Sequence, residues 1–202
     1  MTGLLTLNAG SSSLKFGLYR NTQEPALLVV GQVDGIGSTS RLILGTDDAA
    51  TETPCDVATH GAALECIINA LGPYLDGITI TGVGHRVVHG GPDFAEPVIV
   101  TPGIEAALTD LIPLAPLHQP HNLAGIAAAR GLFADAVQVA CFDTAFHRGH
   151  PWVNDTFALP QKFYDNGIRR YGFHGLSYDY ITSVIEYDEP DARSIPTSRR
   201  RS

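Results

Sequence analysis

Hydrophobic and polar residues alternate at the start of the chain with a period of two, which is the spacing of half-buried β-strands. Two such runs, 4–7 (Leu-Leu-Thr-Leu) and 14–19 (Leu-Lys-Phe-Gly-Leu-Tyr), flank the short polar segment 8–13. This arrangement predicts a β-hairpin with a tight polar turn. Further strand-like runs at 26–33 and 41–44 lie on either side of a glycine-rich turn, so the pattern predicts an N-terminal β-meander.

The pattern changes to helical spacing in the middle of the chain. Residues 46–56 are polar and predict a surface loop. From 56 to 75, apolar residues recur every three or four positions, which predicts an amphipathic helix. A strand is expected at 78–85, and a second helix is expected over 101–113 because a threonine N-cap is followed there by proline.

Strands and helices continue to alternate in the second half of the chain. Residues 115–122 are rich in proline and predict an extended loop, with Asn122 as the N-cap of a helix over 123–133. A short apolar strand is expected at 137–141, and a last helix is expected to begin near His174, which lies between two glycines. Alternating strands and helices predict an α/β fold.

Composition and charge narrow the class of protein. The 202 residues are 44% hydrophobic and 17% charged, as expected for a soluble globular domain with a substantial core and room for a small subdomain. A net charge of -8 argues against a nucleic-acid-binding surface. The three cysteines are widely spaced and suit free thiols of a reducing cytoplasm, and no segment has the ~18 apolar residues of a membrane span. We therefore expect a cytoplasmic enzyme or binding protein that binds no nucleic acid and no membrane.

Polar residues in the turn 8–13 and at the end of the strand 78–85 are candidates for anion binding. The turn combines a glycine with three serine hydroxyls, and Lys15 adds a positive charge, so it could cradle a phosphate. Asn8 could hold a magnesium-bound water or a phosphate oxygen. Arg86 could bind a carboxylate or a phosphate. Each of these features taken alone also fits a structural role, as an ordinary Gly/Ser turn or an ion-paired arginine.

Three residues of the second half are also candidates. Asp143 directly follows a buried strand, where α/β folds place catalytic or metal-binding carboxylates. His118 lies on the proline-stiffened loop and could form the wall of a site or stay solvated. His174 has glycines on both sides at a helix entrance, where backbone freedom suits phosphate binding.

Five motifs, NAGSSSLKF, GHRVVHGG, APLHQPHN, FDTAFH and RRYGFHGLS, follow one another along the chain. In these motifs the chain resembles the acetokinase family of acetate and propionate kinases, from residue 3 to about residue 186. The resemblance implies a ribonuclease-H-like domain of the acetate-and-sugar-kinase/Hsp70/actin superfamily, with a mixed sheet and flanking helices. It also implies a cytoplasmic phosphotransferase that moves a phosphoryl group from ATP to acetate or propionate, with Mg²⁺ as cofactor and acetyl phosphate as product.

The resemblance assigns roles to the residues that match the family's motifs. It implies that Asn8 is associated with magnesium, that Lys15 contacts the nucleotide, and that Arg86 binds acetate and the transferred phosphoryl group. It implies phosphate-binding hydroxyls at Ser11 and Ser13. The remaining implied site residues are the active-site aspartate Asp143, the transition-state-stabilising His174, the phosphoryl-facing His118, and Val88, Leu117 and Phe173 around the acetate methyl group.

The implied chemistry suits these residue types. In-line transfer of a phosphoryl group spreads negative charge over three oxygens, which Arg86, His118 and His174 are expected to stabilise. Acetate is already ionised at neutral pH, with a pKa of roughly 4, so no base is needed to activate it. We therefore expect Asp143 to orient Arg86 or a magnesium-bound water.

The resemblance is incomplete in two respects. The family's usual HGTSH reads His-Gly-Leu-Ser-Tyr at 174–178. Family members also run to roughly twice this length, and their nucleotide-binding C-terminal domain has no counterpart here. The expected organisation is an acetokinase N-terminal domain at 1–186 and a divergent, disordered tail at 187–202, which a lost reading frame would explain.

Three interpretations follow. The first is a truncated acetate kinase with little or no activity of its own, because the missing half supplies positioning and charge stabilisation. The second is an inactive fragment that acts as a binding or interaction module, for which a large exposed apolar patch would be evidence. The third is another kinase or a phosphatase of the same superfamily. Full-length family members are typically homodimers.

Overall fold

A computed structural model describes residues 1–45 and 49–188 of the chain. Its framework is a mixed eight-stranded sheet with the strand order β5-β4-β3-β2-β1-β6-β8-β7. The strands are β1 (Thr2–Ala9), β2 (Ser13–Arg20), β3 (Ala26–Asp34), β4 (Ser40–Leu44), β5 (Thr51–Cys55), β6 (Thr79–Val87), β7 (Val98–Ile99) and β8 (Val137–Phe142). The helices are α1 (His60–Leu71), α2 (Pro102–Asp110), α3 (Gln119–Leu132), α4 (Trp152–Asp155), α5 (Gln161–Asp165) and α6 (Gly175–Asp188).

Strands β1 to β5 form an antiparallel meander, and β6 pairs in parallel with β1. The predicted hairpin and meander are therefore confirmed. Alternate residues of β1, among them Leu5 and Leu7, are buried with Leu14 and Phe16 of β2 on one face of the sheet. Helices α1 and α3 contact each other and these strands, so the main core lies between the two helices and the sheet.

The predicted surface loop at 46–56 is wrong for its second part, because residues Thr51–Cys55 form strand β5. The strand pairs with β4 at the edge of the sheet, and four of its five residues are exposed. An edge strand of this kind is held by backbone hydrogen bonds and buries little, so it lacks the apolar alternation that marks a strand in a sequence.

Three helices differ from their predicted bounds. The first is predicted over 56–75, but α1 begins at His60 after the N-cap Thr59 and ends at Leu71, where the short 3₁₀ turn Gly72–Tyr74 follows. The third is predicted to start after a loop capped by Asn122, but α3 begins at Gln119 with Pro120 in its first turn. Proline is tolerated there because the first N–H groups of a helix have no intrahelical partner. Helix α2 has the predicted threonine N-cap, whose hydroxyl accepts from the Ile104 amide, but it ends at Asp110 and not at 113, because a separate 3₁₀ turn follows at Ile112–Leu114.

The described chain divides into two compact units. Unit 1 comprises residues 1–87 and 98–141 and carries most of the sheet together with α1, α2 and α3. Unit 2 comprises residues 88–97 and those from 142 onward, and carries α4, α5 and α6. Within unit 2, Phe94 stacks on Phe142 at 5.3 Å, and Arg148 forms a two-pronged ion pair with Asp155.

The predicted disordered tail begins at residue 187, and residues 189–202 lie outside the described part of the chain. None of the helices described is both long enough and apolar enough to cross a membrane.

Candidate functional site

The residues predicted to form the site are distributed over both units. Unit 1 carries Asn8, Ser11, Ser13, Lys15, Arg86, Leu117 and His118, whereas unit 2 carries Val88, Asp143, Phe173 and His174.

Three polar residues of unit 1 form a row across adjacent strands. Asn8 of β1 lies directly opposite Lys15 of β2 and opposite Arg86 of β6. Paired residues point to the same side of a sheet, and this side is the one opposite the α1–α3 core. The Arg86 guanidinium donates from Nη1 to Oδ1 of Asn8 at 3.1 Å, and Lys15 is exposed. Two cations beside one amide on a partly open sheet face create a surface that attracts anions.

The turn between β1 and β2 lies next to this row. The Gly10 amide donates to the Ser13 carbonyl at 2.8 Å, and the Ile36 amide donates to the Ser12 carbonyl at 2.9 Å. Ser11 is exposed and Ser13 is half-buried. The turn therefore has a defined backbone and presents hydroxyl groups to solvent, as phosphate binding requires.

Side chains from two helices support the same turn. Nδ2 of Asn122 in α3 donates to the Ala9 carbonyl at 2.8 Å, and Nε2 of His60 in α1 lies 2.6 Å from the Gly10 carbonyl oxygen. The His60 ring packs against that of His121 with a centroid distance of 5.2 Å. The pKa of His121 lies below its ordinary value, chiefly because of burial and then because of the neighbouring His60 and His118.

The predicted residues Leu117 and His118 lie at the N-terminus of α3. His118 is the N-cap residue, its ring is exposed, and it makes no capping hydrogen bond. Leu117 is 75% exposed. Neither residue is enclosed within unit 1, so a pocket wall at Leu117 is still a prediction.

Asp143 is the first residue after β8 and is only 1% exposed. Its backbone carbonyl accepts from the Gly175 amide at 2.8 Å, which connects the end of the strand to the start of α6. A Cβ atom at position 175 would collide with that same carbonyl, so this close approach requires glycine. The neighbouring Thr144 hydroxyl accepts from the Gly90 amide at 2.9 Å.

His174 has the left-handed backbone conformation, with φ of 58°, which is uncommon for a residue with a side chain. Its carbonyl accepts from the Ser177 and Tyr178 amides, so this residue directly precedes α6 and takes up the first free amides of the helix. The preceding residue is held by His147, whose Nε2 lies 2.9 Å from the Phe173 carbonyl oxygen and donates to it. A strained residue fixed on both sides is typical of functional sites, and its exposed imidazole is available to a ligand.

A buried histidine packs against the predicted apolar residue Phe173. The His89 ring lies 4.4 Å from the Tyr171 ring and 5.7 Å from the Phe173 ring. Its Nδ1 accepts from the Gly91 amide at 2.9 Å, so this nitrogen carries no proton. Burial, and then the positive charge of Arg148, lower the pKa of His89. Val88 precedes it in the chain and is half-buried.

The described residues do not make a magnesium site by themselves. Mg²⁺ requires a nearly octahedral set of oxygen ligands, and Asn8 offers one amide oxygen that already accepts from the positively charged Arg86. Among residues 1–45 and 49–188 there is no group of three or more His, Cys, Asp or Glu side chains placed to hold a metal ion.

Two supporting residues of the turn escape sequence-based prediction. Asn122 is predicted to cap a helix but lies inside α3, with its side chain buried against β1. The sequence does indicate that His60 is buried, because it lies on the same helical stripe as the buried Leu64, Ile67 and Leu71. A polar side chain on an apolar stripe indicates a buried hydrogen-bonding partner, although the sequence does not say which one.

A sequence model of the acetokinase family matches residues 3–189. This chain belongs to the acetokinase family. The acetate kinase of Methylocella silvestris is 47% identical over 201 residues, an alignment that covers 93% of this chain and 50% of the relative. The acetate kinase of Nitrobacter hamburgensis is 44% identical over 197 residues and is covered to 49%.

Solved structures of acetokinases have the same fold. The Porphyromonas gingivalis acetate kinase superimposes with a TM-score of 0.83 at 36% identity, covering 93% of this chain and 49% of that one. A propionate kinase from Francisella tularensis superimposes with the same TM-score at 31% identity. The predicted α/β acetokinase fold is thereby confirmed. The chain spans about half the length of the acetokinase relatives that it matches.

Proposed function

We propose that this acetokinase chain serves ATP-dependent phosphoryl transfer to acetate or propionate, forming the acyl phosphate. Membership of the family supports the reaction class. The observation that carries the proposal is the row formed by Lys15, Asn8 and Arg86, since it places two cations on one sheet face beside the 8–13 turn. The reactants, a carboxylate and a polyphosphate, are both anions that such a face attracts.

In this proposal Arg86 binds the acceptor carboxylate. A guanidinium presents a planar fork of N–H donors that matches a carboxylate, and it also stabilises charge on a transferring phosphoryl group. Asn8 orients that fork, because its Oδ1 accepts from Nη1 and thereby fixes the plane of the guanidinium. The sequence predicts an orienting role for Asp143, and the contact with Asn8 supplies an orienting partner within unit 1.

The nucleotide phosphates are proposed to bind at the turn. The hydroxyls of Ser11 and Ser13 and the ammonium of Lys15 are donors to phosphate oxygens, and ionised acetate needs no base. The proposal keeps the roles of His118 and His174 as donors to the transferring phosphoryl group, of Asp143 in orientation, and of Val88, Leu117 and Phe173 around the acyl group. Mg²⁺ would accompany ATP and neutralise charge on its phosphates.

A role as an interaction module is the second candidate, and one observation favours it. Helix α6 of unit 2 exposes five large apolar or aromatic side chains: Tyr178, Tyr180, Ile181, Val184 and Ile185. An exposed group of this kind is unusual on a monomeric surface and marks an interaction site. This candidate does not exclude the first, because a binding surface and a kinase site can coexist on one chain.

The proposed function is tested by binding and turnover measurements on the 202-residue chain. Binding of ATP and of acetyl phosphate is followed by isothermal titration calorimetry, and turnover is followed by trapping acetyl phosphate as its hydroxamate. We expect both ligands to bind and little turnover, because the chain spans about half the length of its relatives. Arg86→Ala should weaken acetyl phosphate binding at least tenfold, since a charge-assisted hydrogen bond is worth about 1.5–3 kcal/mol.

Arg41→Ala is the matched control. Arg41 lies on β4 of the same sheet and forms an exposed ion pair with Glu52, so its loss should leave both affinities unchanged. A folded wild-type chain that binds neither ATP nor acetyl phosphate would overturn the proposed function. Turnover that disappears in Arg86→Ala would support the reaction and contradict the expected inactivity of the chain.

A further inference from the structure

Four backbone carbonyl groups in and beside the turn between β1 and β2 accept hydrogen bonds from other groups of the protein. The Ala9 carbonyl accepts from Asn122, the Gly10 carbonyl from His60, and the Ser12 carbonyl from the Ile36 amide. The Ser13 carbonyl accepts from the Gly10 amide. Two of these four donors are therefore side chains, and each comes from a different helix.

The His60 contact fixes the direction of the next amide group. In a trans peptide the carbonyl of one residue and the N–H of the next point in opposite directions, and no cis peptide is found among the described residues. With its carbonyl turned towards His60, the Gly10–Ser11 peptide presents the Ser11 N–H on the opposite side. Within residues 1–45 and 49–188, no backbone carbonyl accepts from that N–H.

The chemistry of the contact defines the state of the imidazole. A carbonyl oxygen can only accept, so Nε2 of His60 carries the proton and donates at 2.6 Å. The ring has little freedom to turn away, because it is 8% exposed and packs against His121. His60 is also the first residue of α1, directly after the N-cap Thr59, so the helix anchors its backbone.

We propose that His60 is a positioning residue of the phosphate-binding turn, which holds the Gly10–Ser11 peptide so that the Ser11 N–H faces a nucleotide phosphate. This inference rests on the proposed function for the identity of the ligand. The orientation of the peptide is a property of the unliganded chain. An outward N–H beside the Ser11 hydroxyl would give a phosphate oxygen two donors from one residue, in the manner of backbone anion sites.

Substitutions at position 60 separate the donor from the volume of the ring. In His60→Gln, the amide nitrogen lies the same number of bonds from Cβ as Nε2, so this variant can donate to the Gly10 carbonyl. His60→Leu replaces the imidazole with an apolar side chain of moderate size and so removes the donor. His121→Phe is the matched control, because it alters the packing on the His60 ring and leaves the donor in place.

The first measurement is made by NMR on the isotope-labelled, unliganded 202-residue chain. A long-range ¹H–¹⁵N spectrum should show His60 protonated at Nε2, and the residual dipolar coupling of the Ser11 N–H should change in His60→Leu but persist in His60→Gln and His121→Phe. A His60 ring that is unprotonated at Nε2, or a Ser11 coupling identical in all variants, would overturn the inference. Protonation at Nε2 of His60 is observed in the wild-type chain, so it tests the inference even if one variant does not fold.

The second measurement adds ATP to the same samples. We expect the Ser11 amide to shift in the wild type and ATP to bind about tenfold more weakly to His60→Leu, while His60→Gln stays close to the wild type. If ATP binds the wild type and His60→Leu with equal affinity, the inference about His60 is overturned and the proposed function is left standing. If ATP does not affect the wild-type spectrum, the proposed function fails, and the unliganded measurements still decide whether His60 orients the peptide.

Discussion

Arg86 and Asn8 lie opposite each other on the parallel strands β6 and β1, and the guanidinium donates from Nη1 to Oδ1 of Asn8 at 3.1 Å. The two residues are 78 positions apart in the chain. In the proposed function this pairing makes Arg86 an oriented anion receptor, because one donor of the guanidinium is engaged by a side chain that is itself anchored in the sheet.

Removing the amide of Asn8 should loosen this receptor. In Asn8→Ala, Arg86 keeps its charge and loses a hydrogen-bonding partner, so acetyl phosphate should bind about tenfold more weakly in calorimetry. Thr6→Ala is the control on the same strand and face, because the Thr6 hydroxyl donates to the Gly17 carbonyl instead. Equal weakening in both variants would indicate a general effect on the sheet and contradict a specific role for Asn8.

The buried side chain of Asn122 should contribute to stability. Asn122→Leu leaves the Ala9 carbonyl without its donor in the core, where an unsatisfied group costs about 1–3 kcal/mol. We expect the free energy of unfolding, measured with urea, to fall by that amount. Asn21→Leu, at an exposed position, is the control and should change stability by less than about 0.5 kcal/mol. Equal stability of the two variants would mean that water replaces the lost donor.

Gly175, at the start of α6, lies so close to the Asp143 carbonyl that a side-chain methyl group should not fit. In Gly175→Ala the new Cβ would meet the Asp143 carbonyl and Cβ of Phe146, so we expect unit 2 to lose about 1–3 kcal/mol of stability. Trp152, the single tryptophan of the chain, lies in unit 2 and reports its unfolding by fluorescence. Gly131→Ala in α3 is the control, since a Cβ atom added there would meet nothing within 4 Å and the helix should gain slightly. Equal stability of the two variants would contradict the prediction.

Stability should decrease in mild acid. Burial lowers the pKa of His85, His89 and His121 below the ordinary value of 6.5. As the pH falls below about 6.5, the unfolded chain binds protons on these residues before the folded chain does, and the free energy of unfolding therefore decreases. The loss should level off once the folded-state pKa values are passed.

Urea unfolding at a series of pH values between about 7.5 and 5 measures this effect, and NMR titration of the imidazole protons assigns it. The His85 signal should titrate below that of a histidine in an unfolded peptide. A free energy of unfolding that stays constant over this range, together with ordinary titration of all three rings, would show that burial does not hold these histidines neutral.

The exposed face of α6 should promote self-association. Sedimentation velocity at increasing concentration should show association of the wild-type chain, and Ile181→Lys should reduce it because a charge would enter the apolar contact. Leu27→Lys is the control, as Leu27 is an exposed residue on β3 of unit 1. A monomer at all concentrations, or equal reduction in both variants, would argue against α6 as the interacting surface.

The local parts of the fold could be predicted well from the sequence. The hairpin, the strands β3 and β4 and the threonine cap of α2 follow from short-range patterns that persist in the folded chain. Strand β5 could not be recognised, because an exposed edge strand shows no apolar alternation. The start of α3 was missed because a proline-rich segment resembles a loop, whereas Pro120 occupies the first turn of the helix.

By itself the sequence determined the N-terminal hairpin and meander, the alternation of strands and helices that follows, the motifs that mark an acetokinase domain, and the residue types available for binding anions. Only the tertiary structure decided which residues meet: Arg86 with Asn8, His60 with the Gly10 carbonyl, and Asn122 with Ala9. The physical reason is that side-chain partners are set by strand register and helix packing, which depend on contacts between residues distant in the chain. The spacing of hydrophobic residues shows whether a segment is a strand or a helix, but it does not show which residues of two such segments lie opposite each other.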